Sequence, residues 1–276
     1  MTTSLTLTKH HALGNDFLVV FHPHVDDLAA LARLACDRRR GVGADGLLVG
    51  ESHADASAAM AVFNADGSSA EMSGNGIRCF AQALAMRRGD ALPVAMTVAT
   101  GAGVRTVGLR PSEAPGTIEA TVDMGAVESL GEPDGWSALG VHPDRPVAHL
   151  GLGNPHSVVG VEDVAAVDLL ALGAKLPLVN LEIIEPGPEP HAVTMRVHER
   201  GAGITDACGT GACAAAWAAA QWGLVPATAE EIVVHMDGGS AKVSLHRPAA
   251  GSVMLTGPAT YVATIEIPFV RAPTCE

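Results

Sequence analysis

Two short segments, SerGlyAsnGly at 73–76 and CysGlyThrGly at 208–211, constrain this chain more than anything else in it. Each is a small, chemically active side chain, then Gly-x-Gly, then an apolar helical run: IRCFAQALAMRR after the first and ACAAAWAAAQW after the second. Positions 73 and 208 stand nearly half of the 276-residue length apart. A repeat on that scale predicts two similar α/β halves related by a pseudo-twofold axis, with equivalent residues facing one another. Gly-x-Gly alone is a weak signal, and the competing reading is two glycine-started helices that arose independently. The length allows two cores of ordinary size, although it also permits one large domain.

The segments between the two turns follow one plan twice. Strands are predicted at 5–9 and 18–21, with an irregular HHALGNDF stretch between them. Asp26 and Asp27 precede a helix whose Leu28, Leu31, Ala32, Leu34 and Ala35 share a face, and RRRGVGADG ends it. Strands at 47–49 and 60–64 lead to the first glycine turn and its helix, and strands at 94–100, 104–110 and 117–122 follow. The second half repeats this with strands at 148–151, 158–161, 179–184 and 192–197, the second glycine turn and helix, then strands at 231–235, 241–245, 252–256 and 261–267. Pro and Gly at 111–116 mark a boundary, which gives an N-terminal half at 1–115, rejoined by 266–276, and a C-terminal half at 116–265.

Composition removes several classes of function. Thirty acidic against 17 basic residues leave a formal charge of −13, which opposes phosphate backbones and anionic lipid surfaces, so neither nucleic acid nor membrane is an expected partner. No stretch approaches the ~20 apolar residues of a membrane span, and the N-terminus carries no export pattern, so the expected location is the cytoplasm. Five cysteines (Cys36, Cys79, Cys208, Cys213 and Cys275) at irregular spacings are read as thiols rather than a disulfide framework. Cys36, Cys79 and Cys213 sit in apolar helical contexts and read as core, and Cys275 as tail. There is no CxxC or HExxH, and His22 and His24 flank Pro23 in what reads as a surface turn, so no metal site is expected.

The chemistry follows from the two helix starts. A helix N-terminus offers unpaired N–H groups and partial positive charge, so two that converge would hold a carboxylate. Ser73 and Cys208, at matching positions, would then lie on opposite faces of the carbon bearing it. One removes the α-proton while the other delivers a proton to the opposite face, which inverts the stereocentre. A helix N-terminus lowers a cysteine pKa toward neutrality, which suits Cys208 to this work, and the backbone donors of both turns stabilise the developing carbanion. A pyridoxal enzyme needs a Schiff-base lysine, and none of Lys9, Lys175 and Lys242 has a setting that suggests one. The reading is therefore free of cofactor. Asp45 reads as a turn residue, and Trp217 and Trp222 as packing.

HALGNDF at 11–17, FNADGSSAEMSGNGIRC at 63–79, GNPH at 153–156, VNLE at 179–182 and ERGAGITDACGTGA at 199–212 together resemble the signatures of the diaminopimelate epimerase family over essentially the full chain. The resemblance implies an α/β (α+β) fold of two pseudo-symmetric halves, each a curved, mostly antiparallel sheet around a central helix, with the active site in the cleft between them. It implies epimerisation of LL-2,6-diaminopimelate to the meso isomer, toward lysine and peptidoglycan precursors, by a homodimer. Carried over by position, Cys208 is one acid/base group, and Glu199 and His156 are the polar partners of the two bases. Asn15, Asn64, Asn154, Asn180, Glu199 and Arg200 hold the polar groups of the substrate, and the backbone of Gly74, Asn75, Gly209 and Thr210 binds the reacting carboxylate.

Position 73 departs from the pattern, because the family has cysteine where this chain has Ser73. A hydroxyl is a far weaker acid than a thiol and needs an activating neighbour, for which His156 is the candidate. The alternatives are a Ser/Cys racemase or epimerase of another amino acid, and a chain, naturally or deliberately altered at 73, that binds substrate without turning it over. From other classes come a silent amino-acid binding protein, which would bind without α-proton exchange, and a lyase, which a β-hydroxylated amino acid would reveal.

Overall fold

The computed structural model describes residues 2–245 and 252–270. The chain divides into two compact units, one of residues 1–12, 16–120 and 258–276, the other of 13–15 and 121–257. Cys275 lies outside the described residues.

In the first unit β1 (Thr2–Ala12) and β2 (Asn15–Phe21) are followed by α1 (Leu28–Cys36), β3 (Gly46–Glu51), β4 (Ala58–Asn64), the short β5 (Ser69–Ala70), α2 (Gly74–Arg88), β6 (Val94–Thr100), β7 (Gly103–Pro111) and β8 (Thr117–Ala126). β2 and β3 are parallel, joined across α1; β3 pairs antiparallel with β4, and β4 runs parallel to β6 across α2. Helix α1 starts on Asp27, whose carboxylate accepts from Ala30 N–H, and packs Leu31, Ala32, Ala35 and Cys36 on Leu18, Val20, Leu47 and Val49. The apolar face read from the sequence is that one, except that Leu34 points to solvent. Helix α2 is buried almost all round from Gly74 to Ala85, with the polar Asn75, Arg78 and Gln82 hydrogen-bonded inside, and Gly89 closes it with φ 69°.

In the second unit β9 (Glu128–Ser129), β10 (Val147–Gly151) and β11 (Pro155–Gly160) lead to α3 (Leu169–Gly173), β12 (Asn180–Pro186), β13 (Ala192–Glu199), the short β14 (Gly203–Thr205), α4 (Gly209–Gln221), β15 (Ile232–Met236), β16 (Gly239–Ser244) and β17 (Ser252–Val270). The pairings repeat those of the first unit: β11 parallel to β12 across α3, β12 antiparallel to β13, and β13 parallel to β15 across α4. The same order of parallel and antiparallel pairs around a buried helix, met twice, makes the internal repeat structural rather than coincidental. Helix α4 is mostly alanine and buried along its length, because side chains ending at Cβ let six neighbouring strands come close to its backbone.

The structure differs from the sequence reading in three places. HHALGNDF is not irregular: β1 runs to Ala12 and turns back through Leu13 and Gly14, both at positive φ, the backbone a two-residue hairpin turn demands. Helix α3 was not expected; five residues are too few to show a period. The strands read at 252–256 and 261–267 are one strand, β17, held by β16 at 254–256 and by β1 from Thr260 onward, so that Gly257 and Pro258 do not end it. The chain passes from the first unit to the second inside β8, after the Pro- and Gly-rich turn at 111–116, and returns inside β17. No helix among the described residues is long and apolar enough to cross a membrane.

Candidate functional site

Ser73 and Cys208 occupy the same position in the two helix starts. Ser73 is the N-cap of α2, with φ −136° and ψ 121°, and its Oγ accepts from Gly76 N–H at 3.0 Å. Cys208 is the N-cap of α4, with φ −128° and ψ 116°, and its Sγ accepts from Gly211 N–H at 3.4 Å. The second glycine of each motif makes room for the cap. A Cβ at Gly76 would meet Ser73 Oγ at 3.1 Å, and one at Gly211 would meet Cys208 Sγ at 3.2 Å and Glu182 Oε1 at 2.8 Å. Glycine is thus required here by close approach.

Around Ser73, Asn75 is buried and its Oδ1 accepts from Arg78 Nη2 at 2.8 Å, while Arg78 Nη1 donates to the Gly74 carbonyl at 3.1 Å. A fully buried guanidinium therefore stiffens the first turn of α2. Asn64 ends β4 at the surface and donates to Ser68 Oγ at 2.9 Å. Asp45 ties the glycine loop to β2, sharing Arg38 with Asp16 at 2.7 Å each, consistent with its reading as a turn residue.

Most of the other candidates gather around Cys208. His156 and Asn180 are Cα partners on the parallel strands β11 and β12. Asn180 donates to the Pro155 carbonyl at 3.1 Å and accepts from Arg200 N–H at 2.8 Å, which pins the turn after β13. Glu199 accepts from Thr205 Oγ1 at 2.5 Å, and the Arg200 side chain is exposed. Asn154 donates to Thr210 Oγ1 at 3.3 Å, and Thr210 Oγ1 lies 3.5 Å from Cys208 Sγ. Asn15, half-buried, opens β2 just after the Leu13–Gly14 turn.

The sequence reading missed Glu182. It is fully buried, 2.6 Å from His156 Nδ1 through Oε1. Its signal was available: a charged residue inside the apolar strand VNLEII, two positions from Asn180 and so on the same face. Glu182 also bears on one correction. The helix N-terminus was expected to lower the Cys208 thiol, yet burial, then the charges of Glu199 and Glu182, push it well above its ordinary value. The contacts from Thr210 and Gly211 pull the other way and are outweighed. Burial also pushes the Cys36 and Cys79 thiols up to about 12, and both are buried in the core, as is Cys213, the setting of inert core cysteines.

A cavity of about 630 Å³ in the first unit lies elsewhere, along β1, β2 and the C-terminal end of α2, with Thr6, Phe21, His22 and Arg87 on its walls. None of the candidate residues lines it.

The family model for diaminopimelate epimerase matches residues 7–130 and 149–262. A diaminopimelate epimerase of Desulfitobacterium hafniense is 37% identical, over 94% of this chain and 96% of its own length. One of Magnetococcus marinus is 38% identical, over 92% and 94%. Among solved structures, a phenazine biosynthesis protein of the PhzF family from Bacillus anthracis superposes with a TM-score of 0.71 at 16% identity, covering 96% of this chain and 99% of that one. A hydroxyproline epimerase from Agrobacterium vitis with bound trans-4-hydroxy-L-proline gives 0.69 at 15%, covering 96% and 92%, a likeness of fold alone. With both glycine turns inside the matched residues and relatives alike along nearly the whole sequence, the chain belongs to the diaminopimelate epimerase family.

Proposed function

We propose that this protein is an isomerase that epimerises LL-2,6-diaminopimelate to the meso isomer without pyridoxal phosphate, in the supply of lysine and peptidoglycan precursors. The observation that carries the reading is the matched N-cap geometry of Ser73 and Cys208 in a chain of this family. Cys208 and Ser73 are the two acid/base groups, one taking the α-proton and the other returning a proton to the opposite face of the carbon. Backbone N–H groups at Gly74, Asn75, Gly209 and Thr210 bind the reacting carboxylate, where helix N-termini favour negative charge. His156 and Glu199 assist the bases. Asn15, Asn64, Asn154, Asn180 and Arg200 hold the remaining polar groups of the substrate, with Arg200 suited to a carboxylate through a two-pronged contact. The working form in this reading is a cytoplasmic homodimer.

The test is incubation with LL-diaminopimelate in D2O without pyridoxal phosphate, following α-deuterium incorporation and meso product beside a Ser73→Cys variant. Both proteins are expected to form meso product, the variant faster. Product from the variant alone would show one base disabled by serine, and absence of product from both would overturn the reading.

A further inference from the structure

The proposed chemistry gives Glu182 no part, although its carboxylate is among the costliest groups to bury in this unit. One oxygen meets His156, and the other, Oε2, has no hydrogen-bond partner among the described residues. Burial pushes this carboxyl up, with His156 opposing. A buried acceptor left unpaired destabilises a fold, so packing alone would be served better by an apolar or amide side chain of similar size.

The bonds leading away from Glu182 form one directed chain. His156 Nε2 lies 2.9 Å from Asn154 Oδ1, an atom that only accepts, so Nε2 carries a hydrogen and donates it. The 2.6 Å contact at Nδ1 then holds a single proton, on the imidazole or on the carboxyl. Asn154 Nδ2 donates onward to Thr210 Oγ1, which stands 3.5 Å from Cys208 Sγ, where either atom can donate to the other. The carboxylate also lies near the thiol, because Glu182 Oε1 and Cys208 Sγ both border the space over Gly211, at 2.8 and 3.2 Å from its missing Cβ.

We propose that Glu182 is a positioning residue for Cys208: through His156, Asn154 and Thr210 it orients the hydroxyl against the sulfur, and it sets its carboxylate beside the thiol at the start of α4. The inference rests on Cys208 being an acid/base group. The titratable groups facing this cluster are His156 from β11, Glu182 from β12, Glu199 from β13 and Cys208 at the cap of α4. On the other strands packed against α4, His149 bonds Ser157, while His235 pairs with Glu189 and Lys242 with Glu231 at the surface.

The experiment titrates Cys208 in the full chain by thiolate ultraviolet absorbance, as the difference from Cys208→Ser, with and without Glu182→Gln. With the shared proton on the imidazole, Glu182 faces the thiol as a carboxylate, and the substitution removes that charge, so the midpoint is expected to fall by about one pH unit. The melting temperature is expected to be no lower. The pH profile of α-proton exchange should move in the same direction, with kcat at least tenfold lower and KM nearly unchanged. A midpoint that stays in place or rises would overturn the proposal and leave Glu182 as packing. If Glu182→Gln does not fold, Glu182→Asp withdraws the carboxylate by one methylene and is expected to give a smaller fall, with no fall again overturning it. The titration needs no substrate. A shifted midpoint in a chain that exchanges no diaminopimelate α-proton either as it stands or as Ser73→Cys supports this proposal and sinks the epimerase reading, while exchange without a shift sinks this proposal alone.

Discussion

Ser73 and Cys208 cap their helices with the same backbone geometry but different atoms, and that difference separates structure from chemistry at the two positions. A serine hydroxyl is a strong cap acceptor, so Ser73→Ala is expected to cost about 1 kcal/mol in urea unfolding as well as to remove α-proton exchange. Cys208→Ser keeps a cap oxygen at the helix start and loses the thiol. Its stability is expected to stay near that of the parent while exchange falls on the order of a hundredfold. Equal exchange rates in Cys208→Ser and parent would remove Cys208 from the chemistry. At this scale the sequence was legible wherever a motif named the residue. It was not legible for the direction in which the Cys208 thiol shifts, because that depends on burial and on carboxylates from β12 and β13, which no local window contains.

The elements were legible to the extent that each carried its own period or punctuation. Helices α1, α2 and α4 announced themselves through an apolar face, through glycine starts and through Gly89 past the end of α2. The length of β17 and of β1 was not, since each is extended by pairing with a strand more than 240 residues away in sequence. Two glycines give contrasting predictions. Gly89→Ala meets open space but holds φ 69°, so it is expected to cost about 1 kcal/mol of stability and leave exchange rates alone. Gly211→Ala has ordinary helical backbone but puts a methyl 2.8 Å from Glu182 Oε1, so exchange is expected to fall at least tenfold. Comparing melting temperature with exchange rate in the two variants checks both, and a Gly211→Ala protein with full activity would show that the carboxylate moves aside without consequence.

For the whole molecule, the buried thiols give stability a defined dependence on pH. Cys36 and Cys79 ionise at about 12 in the fold against 9.0 in the ordinary state. Both are raised, so their contribution is fully present below pH 9.0 and is lost as pH climbs toward about 12, because the unfolded chain sheds those protons first. The urea midpoint is expected to decline steadily above pH 9.0, and less steeply in Cys79→Ala. An identical slope in that variant would assign the decline to other groups.

What the sequence determined by itself was the repeat: two glycine turns, each led by Ser73 or Cys208 and each feeding an apolar helix, with the family signatures spread between them. Those are local properties, written in residues a few positions apart, where backbone sterics and helix periodicity act. The tertiary structure alone decided that His156 and Glu182 meet at 2.6 Å, that Gly211 makes room for a carboxylate, and that burial pushes the Cys208 thiol up. Each of these comes from strands and helix ends brought together by pairing and burial, and electrostatic effects in a buried setting depend on distances that only the fold sets.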